Sequence, residues 1–360
     1  MKFTYRSGLW TTGPDPEPPP LATVLEVSGA VLAGTVDDRS RQIQITLTDV
    51  DRADWLWRLV GATGHAAVVA ALGVEGTVDH VEIDSAAIDP DTADTLRRLA
   101  LGHWLRRWWP ASRRDGIADL DAAVLDGELA LLTAAAHEFF DDDSFDADVA
   151  GLLRPHGSRL NSLLNHHDSR VAGLARSCAE LAEDSGVALG GLLEPAGRRD
   201  DYALAAGPGD GAGADVAIAD GRSSVPWSAV PPGVFDAAED TIRWRVAADG
   251  DHVGVAVRTD VWGAGSPAGL AVRLRSGAVN GTGVLDGAGA ATIGLFDGDR
   301  PLNPDAAWDH DWSDASVTVG TEVPEDRPAR ERVRAFARAR LTTPGDDAFL
   351  AELLAAAADY

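Results

Sequence analysis

The chain has 360 residues, 45% of them hydrophobic and 24% charged, with 57 acidic against 31 basic side chains and a formal net charge of −26. Such a length exceeds the roughly 250–300 residues that one hydrophobic core usually serves, so more than one packed unit is expected. The acidic balance argues against a nucleic-acid partner, whose phosphates demand a basic surface, and no run approaches the ~20 apolar residues that a membrane-spanning helix requires. Cys178, the only cysteine, excludes an internal disulfide. Together with a start that lacks an apolar signal core, it predicts a cytoplasmic protein.

Residues 1–10 read as a first strand, followed by a proline-rich connector over 13–20. Residues 23–27, 30–36 and 42–47, the last of which alternates cleanly, predict a small sheet. Short helices are predicted over 54–60 and 65–72, and one more strand over 77–83. Asp89-Pro90-Asp91 opens a helix with an acidic first turn and a proline near its start; Leu96, Ala100, Trp104 and Trp108 share one stripe, and Pro110 ends it. Ile117, Leu120, Val124, Leu131 and Ala135 form the next stripe, closing near Phe139 and Phe140. Two further helices are predicted, one within 152–165 that kinks or starts at Pro155, and one over 169–183.

Residues 201–238 are rich in Gly, Pro, Asp and Ser, and Gly207-Pro208-Gly209-Asp210-Gly211-Ala212-Gly213 reads as a flexible linker. It follows no strand and opens no helix, so it does not read as a phosphate-binding loop. Trp227 and Phe235 are apolar enough to dock its later part. Beyond it Ile242, Trp244 and Val246 face one way, Asp249-Gly250 turns the chain, and Val253, Val255 and Val257 face the same core. Leu270, Val272 and Leu274 repeat the pattern, and residues 292–295 and 317–319 add strands. Here Pro267-x-Gly269-x-x-Val272-x-Leu274 is followed by Gly283-x-Leu285-Asp286-x-x-Gly289-x-x-Thr292-x-Gly294. Over residues 241–320 only, this resembles the prealbumin-like (transthyretin-like, carboxypeptidase-regulatory-like) β-sandwich family. The resemblance implies a module for adhesion, spacing or interaction and carries over no catalytic residue. The tail returns to helix over 329–341, with Val333 and Phe336 on one side; Thr343-Pro344-Gly345-Asp346 breaks it, and Asp346 or Asp347 caps a last helix.

The expected architecture is therefore α+β and multidomain. An N-terminal region with a small sheet and helices (1–112) precedes a helical middle region (113–200), a linker (201–238), a C-terminal antiparallel β-sandwich (239–324) and a helical tail (325–360).

No Walker A sequence, nucleophile elbow, H-E-x-x-H or cysteine cluster occurs, so no catalytic residue and no cofactor is assigned. His137 and Glu138, with Asp141 to Asp143, and His166 and His167, with Asp168, are residue types that bind zinc or iron. Adjacent residues on a helix point about 100° apart, however, so solvated helix ends are expected, with a metal-dependent hydrolase as the alternative. Asp297, Asp299, Asp305, Asp309 and Asp311 offer oxygen ligands for calcium in one loop, but Trp308 stands where an EF-hand places its last carboxylate.

Arginine placement is the least ordinary signal. Arg243, Arg245, Arg273 and Arg275 alternate with core residues of the sandwich, and Arg258 ends another strand. If those strands are neighbours, an acidic protein carries one basic sheet face. Arg97, Arg98, Arg106, Arg107, Arg113 and Arg114 surround the tryptophan-bearing helix, and Arg330, Arg332, Arg334, Arg338 and Arg340 lie in the tail. The ordinary reading pairs them with carboxylates or with solvent. The functional reading is a docking surface for a protein partner with an acidic surface, or for a second copy of the chain. Trp55, Trp57, Trp104, Trp108 and Trp109 read as core, and Cys178 as a buried thiol. Trp308 and Trp312 flank a loop and support a further alternative, a module that binds carbohydrate or another small ligand. A non-enzymatic interaction or scaffold role is favoured over these alternatives.

Overall fold

The computed structural model describes residues 1–13, 15–38, 41–72, 80–83, 88–140, 145–189 and 217–358. Two compact units emerge: Met1–Trp109, Leu120–Gly190 and Arg327–Tyr360 form the first, Pro110–Asp119 and Gly191–Asp326 the second. Among the described residues no helix is long and apolar enough to cross a membrane.

The first unit is an α+β layer. Strands β1 (Lys2–Arg6), β2 (Leu9–Thr12), β3 (Ala22–Val27), β4 (Ala30–Thr35) and β5 (Gln44–Leu47) precede helix α1 (Leu56–Leu72) and strand β6 (His80–Glu82). The strands form one antiparallel sheet of order β3-β4-β5-β2-β1-β6. Alternation turns Phe3, Leu25, Leu32 and Ile45 into the core. The two short helices expected in this region are the halves of α1, separated at Gly61, whose φ of 76° and ψ of 158° suit glycine alone. Helix α2 (Pro90–Trp108) starts where expected. The Asp89 carboxylate accepts the Thr92 N–H at 2.9 Å, a bond that holds its pKa below the usual carboxylate value. Residues 77–79 of the expected strand lie outside the described residues.

Helix α3 (Ala122–Phe140) starts later than the apolar stripe suggests. Ile117 and Leu120 are buried from the preceding loop, because Gly116 turns the chain at φ 65°, Ile117 bridges back to Ser112, and Asp121 caps the helix by accepting the Ala123 and Val124 N–H groups. Helix α4 (Phe145–Leu153), a 3-10 turn at Arg154–His156 and helix α5 (Gly157–Leu163) take the place of one helix around Pro155. Helix α6 (Ser169–Asp184) matches its prediction. One core joins Phe3, Ile45, Leu59 and Leu96 to Leu129, Leu153, Leu160 and Cys178. The N-terminal and helical regions, expected as separate segments, therefore share one interior.

The second unit is a β-sandwich. Strands β7 (Ala219–Ser223), β8 (Ile242–Asp249), β9 (His252–Thr259), β10 (Ala271–Ser276), β11 (Val279–Val284), β12 (Ala290–Gly294), β13 (Phe296–Asp297) and β14 (Arg300–Pro301) are followed by helix α7 (Pro304–Asp309) and strand β15 (Ser316–Val319). They form a four-stranded sheet, β12-β9-β8-β7, and a five-stranded sheet, β14-β13-β11-β10-β15. Trp244, Val246, Val255 and Val257 of the first share a core with Val272, Leu274, Val317 and Val319 of the second. Two readings are corrected here. The later part of the expected linker contains β7 and buries Val225, Val230, Val234 and Phe235, while the Gly207-to-Gly213 run lies outside the described residues. The acidic loop contains α7, capped by Asn303 through the Ala306 N–H at 2.8 Å.

Helices α8 (Arg327–Thr342) and α9 (Leu350–Ala357) return the chain to the first unit. Phe336 meets Trp104 edge-on at 5.6 Å, and the fully buried Phe349 lies against Gly102, where a Cβ would come within 2.7 Å of its ring. Glu352, with no exposed surface, accepts two bonds from Arg340, at 2.5 and 2.7 Å, and a third from the Phe349 N–H at 2.9 Å. Asp347 therefore does not cap α9 but sits 3.3 Å from Arg340. Beside it Glu128, whose carboxyl burial pushes up, accepts the Leu350 N–H at 2.7 Å and bonds Arg98. Glu352→Ala leaves Arg340 buried beside Asp347 alone and is expected to cost about 3–5 kcal/mol in denaturant unfolding. Replacing the pair together, Arg340→Met with Glu352→Leu, is expected to cost much less, and equal losses would contradict this account.

Candidate functional site

Arg97, Arg98 and Arg106 of one arginine cluster and Arg330, Arg332, Arg334 and Arg340 of the tail bind the first unit together. Arg97 pairs with Asp94 at 2.9 Å, Arg98 with Glu128, and Arg106 with the buried Asp126 at 3.0 Å. His156 reaches the same Asp126 carboxylate at 2.9 Å. In the tail Arg332 forks onto Asp37 at 2.9 and 3.0 Å, and Arg330, Arg334 and Arg340 are each less than 9% exposed. These side chains join elements of one interior and its rim.

The third cluster faces solvent. In β8, Ile242, Trp244 and Val246 point inward, and Arg243 and Arg245 outward. Antiparallel register places Arg243 opposite Arg222 of β7 on one side and opposite Arg258 of β9 on the other. All three are exposed, so the outer face of the four-stranded sheet carries a row of arginines in register across three strands. Arg245 stands in the next row, opposite Asp220. Neighbouring strands are about 4.8 Å apart, and like charges placed directly opposite destabilise a sheet.

The sheet supplies one counter-charge at the row. Asp260, one residue beyond β9, bonds Arg243 at 2.5 Å and lies 3.6 Å from Arg114. Arg114 arrives from the Pro110–Asp119 segment, which the buried Asp236 fixes in place. Asp236 accepts the Ser112 hydroxyl at 2.6 Å and the Arg113 and Arg114 N–H groups at 2.9 and 3.3 Å. The Arg114 guanidinium also donates to the Glu239 and Asp240 carbonyls. Among the described residues neither Arg222 nor Arg258 has an ion-pair partner.

This arrangement differs from the expected basic face. Arg273 and Arg275 lie on β10 in the five-stranded sheet, whose neighbours are β11 and β15, and both reach Glu322, at 3.5 and 2.9 Å. The four arginines of β8 and β10 therefore do not share a face; Arg222, Arg258 and Arg114 join Arg243 and Arg245 instead. Arg222 was hidden in a stretch whose composition reads as linker. Arg114 belongs by sequence to the tryptophan-bearing helix, and no local signal ties it to Asp260.

The candidate metal ligands are placed apart from this face. His137 lies in the last turn of α3; the Glu138 side chain and Asp141 to Asp143 lie outside the described residues. His166 and His167 stack on one another at 4.2 Å between α5 and α6. His166 Nδ1 accepts the Asp168 N–H, and Asp168, held by Arg170 far below the usual carboxylate pKa, caps α6. Asp297 and Asp299 belong to the exposed β13–β14 hairpin. Among the described residues no three His, Cys, Asp or Glu side chains converge as metal ligands would. Trp312 is anchored by its Nε1–H to the Ala307 carbonyl and packs on His310, while Trp308 is 53% exposed. Burial pushes the Cys178 thiol up to about 12, as a packed thiol requires.

Comparison of the chain with protein-family models, with curated proteins and with solved structures finds no match. The site therefore stands on its own geometry. If the arginine row is held against like-charge repulsion, Arg258→Thr is expected to stabilise the isolated protein by about 0.2–1 kcal/mol in low salt. The gain should shrink as salt screens it, and a loss of stability on denaturant unfolding would remove the claim of an electrostatic cost.

Proposed function

We propose that this is a non-catalytic interaction protein whose sandwich unit docks an acidic protein partner on the outer face of its four-stranded sheet. One observation carries the reading: Arg222, Arg243 and Arg258 are aligned in register and exposed, in a chain of net charge −26. Elsewhere the acidic balance repels an acidic partner, so a basic face concentrates its approach there and sets its orientation. A sheet face presenting guanidinium forks suits carboxylates on a protein surface, which arginine holds in pairs of parallel bonds. The likeness of residues 241–320 to prealbumin-like modules, which serve adhesion, spacing or interaction, supports the same role. Affinity capture from the native cell is expected to return a recurrent stoichiometric partner that is lost with Arg222→Glu plus Arg258→Glu. The variant should keep its circular dichroism spectrum, because neither arginine is ion-paired among the described residues. A partner retained by the folded variant, or a wild-type protein that captures none, would refute the proposal.

A further inference from the structure

We infer that the partner presents to this face an α-helix carrying three carboxylates at positions i, i+3 or i+4, and i+7. The inference rests on the docking reading above and adds the shape of what docks.

The first argument is spacing. Three arginines on adjacent strands stand about 4.8 Å apart and span about 10 Å across the sheet. On a helix, side chains three and four residues apart are neighbours at about 5–6 Å, and seven residues advance about 10.5 Å along one face. Three acidic residues so placed meet the row one to one. An extended peptide shows the same face only every second residue, at about 6.6–6.8 Å, so three carboxylates span about 13 Å and drift off the row.

The second argument is the floor beside the row. Toward the β8–β9 turn, the next outward row is Thr292, Ala256, Arg245 and Asp220 across β12, β9, β8 and β7, the row beyond it is Gly294, Gly254 and Ala247, and Asp249 and His252 stand at the turn itself. On β9 and β12 no bulky side chain stands in the two rows beside the arginines, and the long one on β8, Arg245, adds a further guanidinium to that flank, so a cylinder about 10 Å wide can lie across the strands against the guanidinium groups. Small residues alone would mark nothing. Bordered by a charged row of matching length, they leave room for a rod rather than a ribbon. Arginine suits the row because each fork takes a carboxylate with two parallel bonds, fixing rotation of the helix about its own axis.

The test uses the full-length protein and three labelled alanine-based peptides of equal composition. One helix carries glutamates at i, i+4 and i+7; a second helix scatters them around its circumference; a third is kept extended by interspersed prolines. In fluorescence anisotropy at low ionic strength the single-face helix is expected to bind about tenfold more tightly than either control. That advantage should vanish in Arg222→Glu plus Arg258→Glu and persist in Arg273→Glu plus Arg275→Glu, which alters charge equally on the other sheet. Equal binding of all three peptides, lost in the first variant, would overturn the helix and leave the docking face standing. Binding indifferent to the first variant would overturn both. No binding of any peptide, or self-association in sedimentation that the first variant abolishes and the helix does not compete away, would also overturn the helical partner, the latter in favour of a second copy of this chain.

Discussion

A glycine beneath an indole fixes the face on which the functional reading rests. Gly221 of β7 pairs in register with Trp244 of β8, and a Cβ on Gly221 would lie 2.4 Å from the indole ring. The ring can occupy the sandwich core only if the strand under it carries no side chain at that position. A slip of β7 by one residue would put Asp220 or Arg222 under the indole and turn the strand's other side chains to the opposite face. Register is thus set by packing on the inner side of the sheet. The arginine row on the outer side is its consequence, since Arg222 follows Gly221 and Arg243 precedes Trp244.

The same residue type does opposite work in the first unit. There arginine is drawn into the interior, where Arg340 meets Glu352 and Asp347 beneath Phe336, and Arg98 meets Glu128 over the ring of Phe349. Buried pairs of this kind add little net stability over apolar residues, because desolvation offsets their attraction. What they specify is position: a fork that must meet its carboxylate allows α8 and α9 only one placement against α2 and α3. A chain with a single lysine has the appropriate cation for this task, since a flexible ammonium holds a carboxylate without fixing its plane.

Much of the architecture was legible where one face of an element is buried and the other wet. Alternation revealed β3 to β5 and β8 to β10, and the Asp89-Pro90 start revealed α2. Legibility failed where glycine serves contact rather than freedom. Gly221 made β7 resemble linker, and Gly281 and Gly283 hid β11, although a Cβ on either would press into Ile293 or Leu295 across the sandwich. Composition registers the residue but not the neighbour that requires it. The partition of strands between sheets was hidden for a related reason: the pattern that turns Arg243 and Arg273 outward is identical, and only pairing shows that they face away on different sheets. Of the site, Arg243 and Arg245 were visible by alternation, and Arg258 only as the end of a strand. Arg222 and Arg114 came from pairings distant in sequence.

Asp260 decides how the row works. It satisfies Arg243 in the free protein and steadies Arg114, leaving Arg222 and Arg258 open on either side. An incoming carboxylate at the centre of the row must share Arg243 with Asp260, so its gain there is partly cancelled by the bond it weakens. At the two flanks no such exchange occurs, and the gain is limited only by desolvation and side-chain ordering. On the proposed docking role, recognition is therefore weighted toward ligands that reach both flanks at once. A partner with a single acidic residue gains no more from this face than from any exposed arginine, whereas one whose carboxylates match the strand spacing engages the whole row. On that role selectivity comes from the pitch of the sheet rather than from the strength of any one ion pair, and it falls with added salt as each pair is screened.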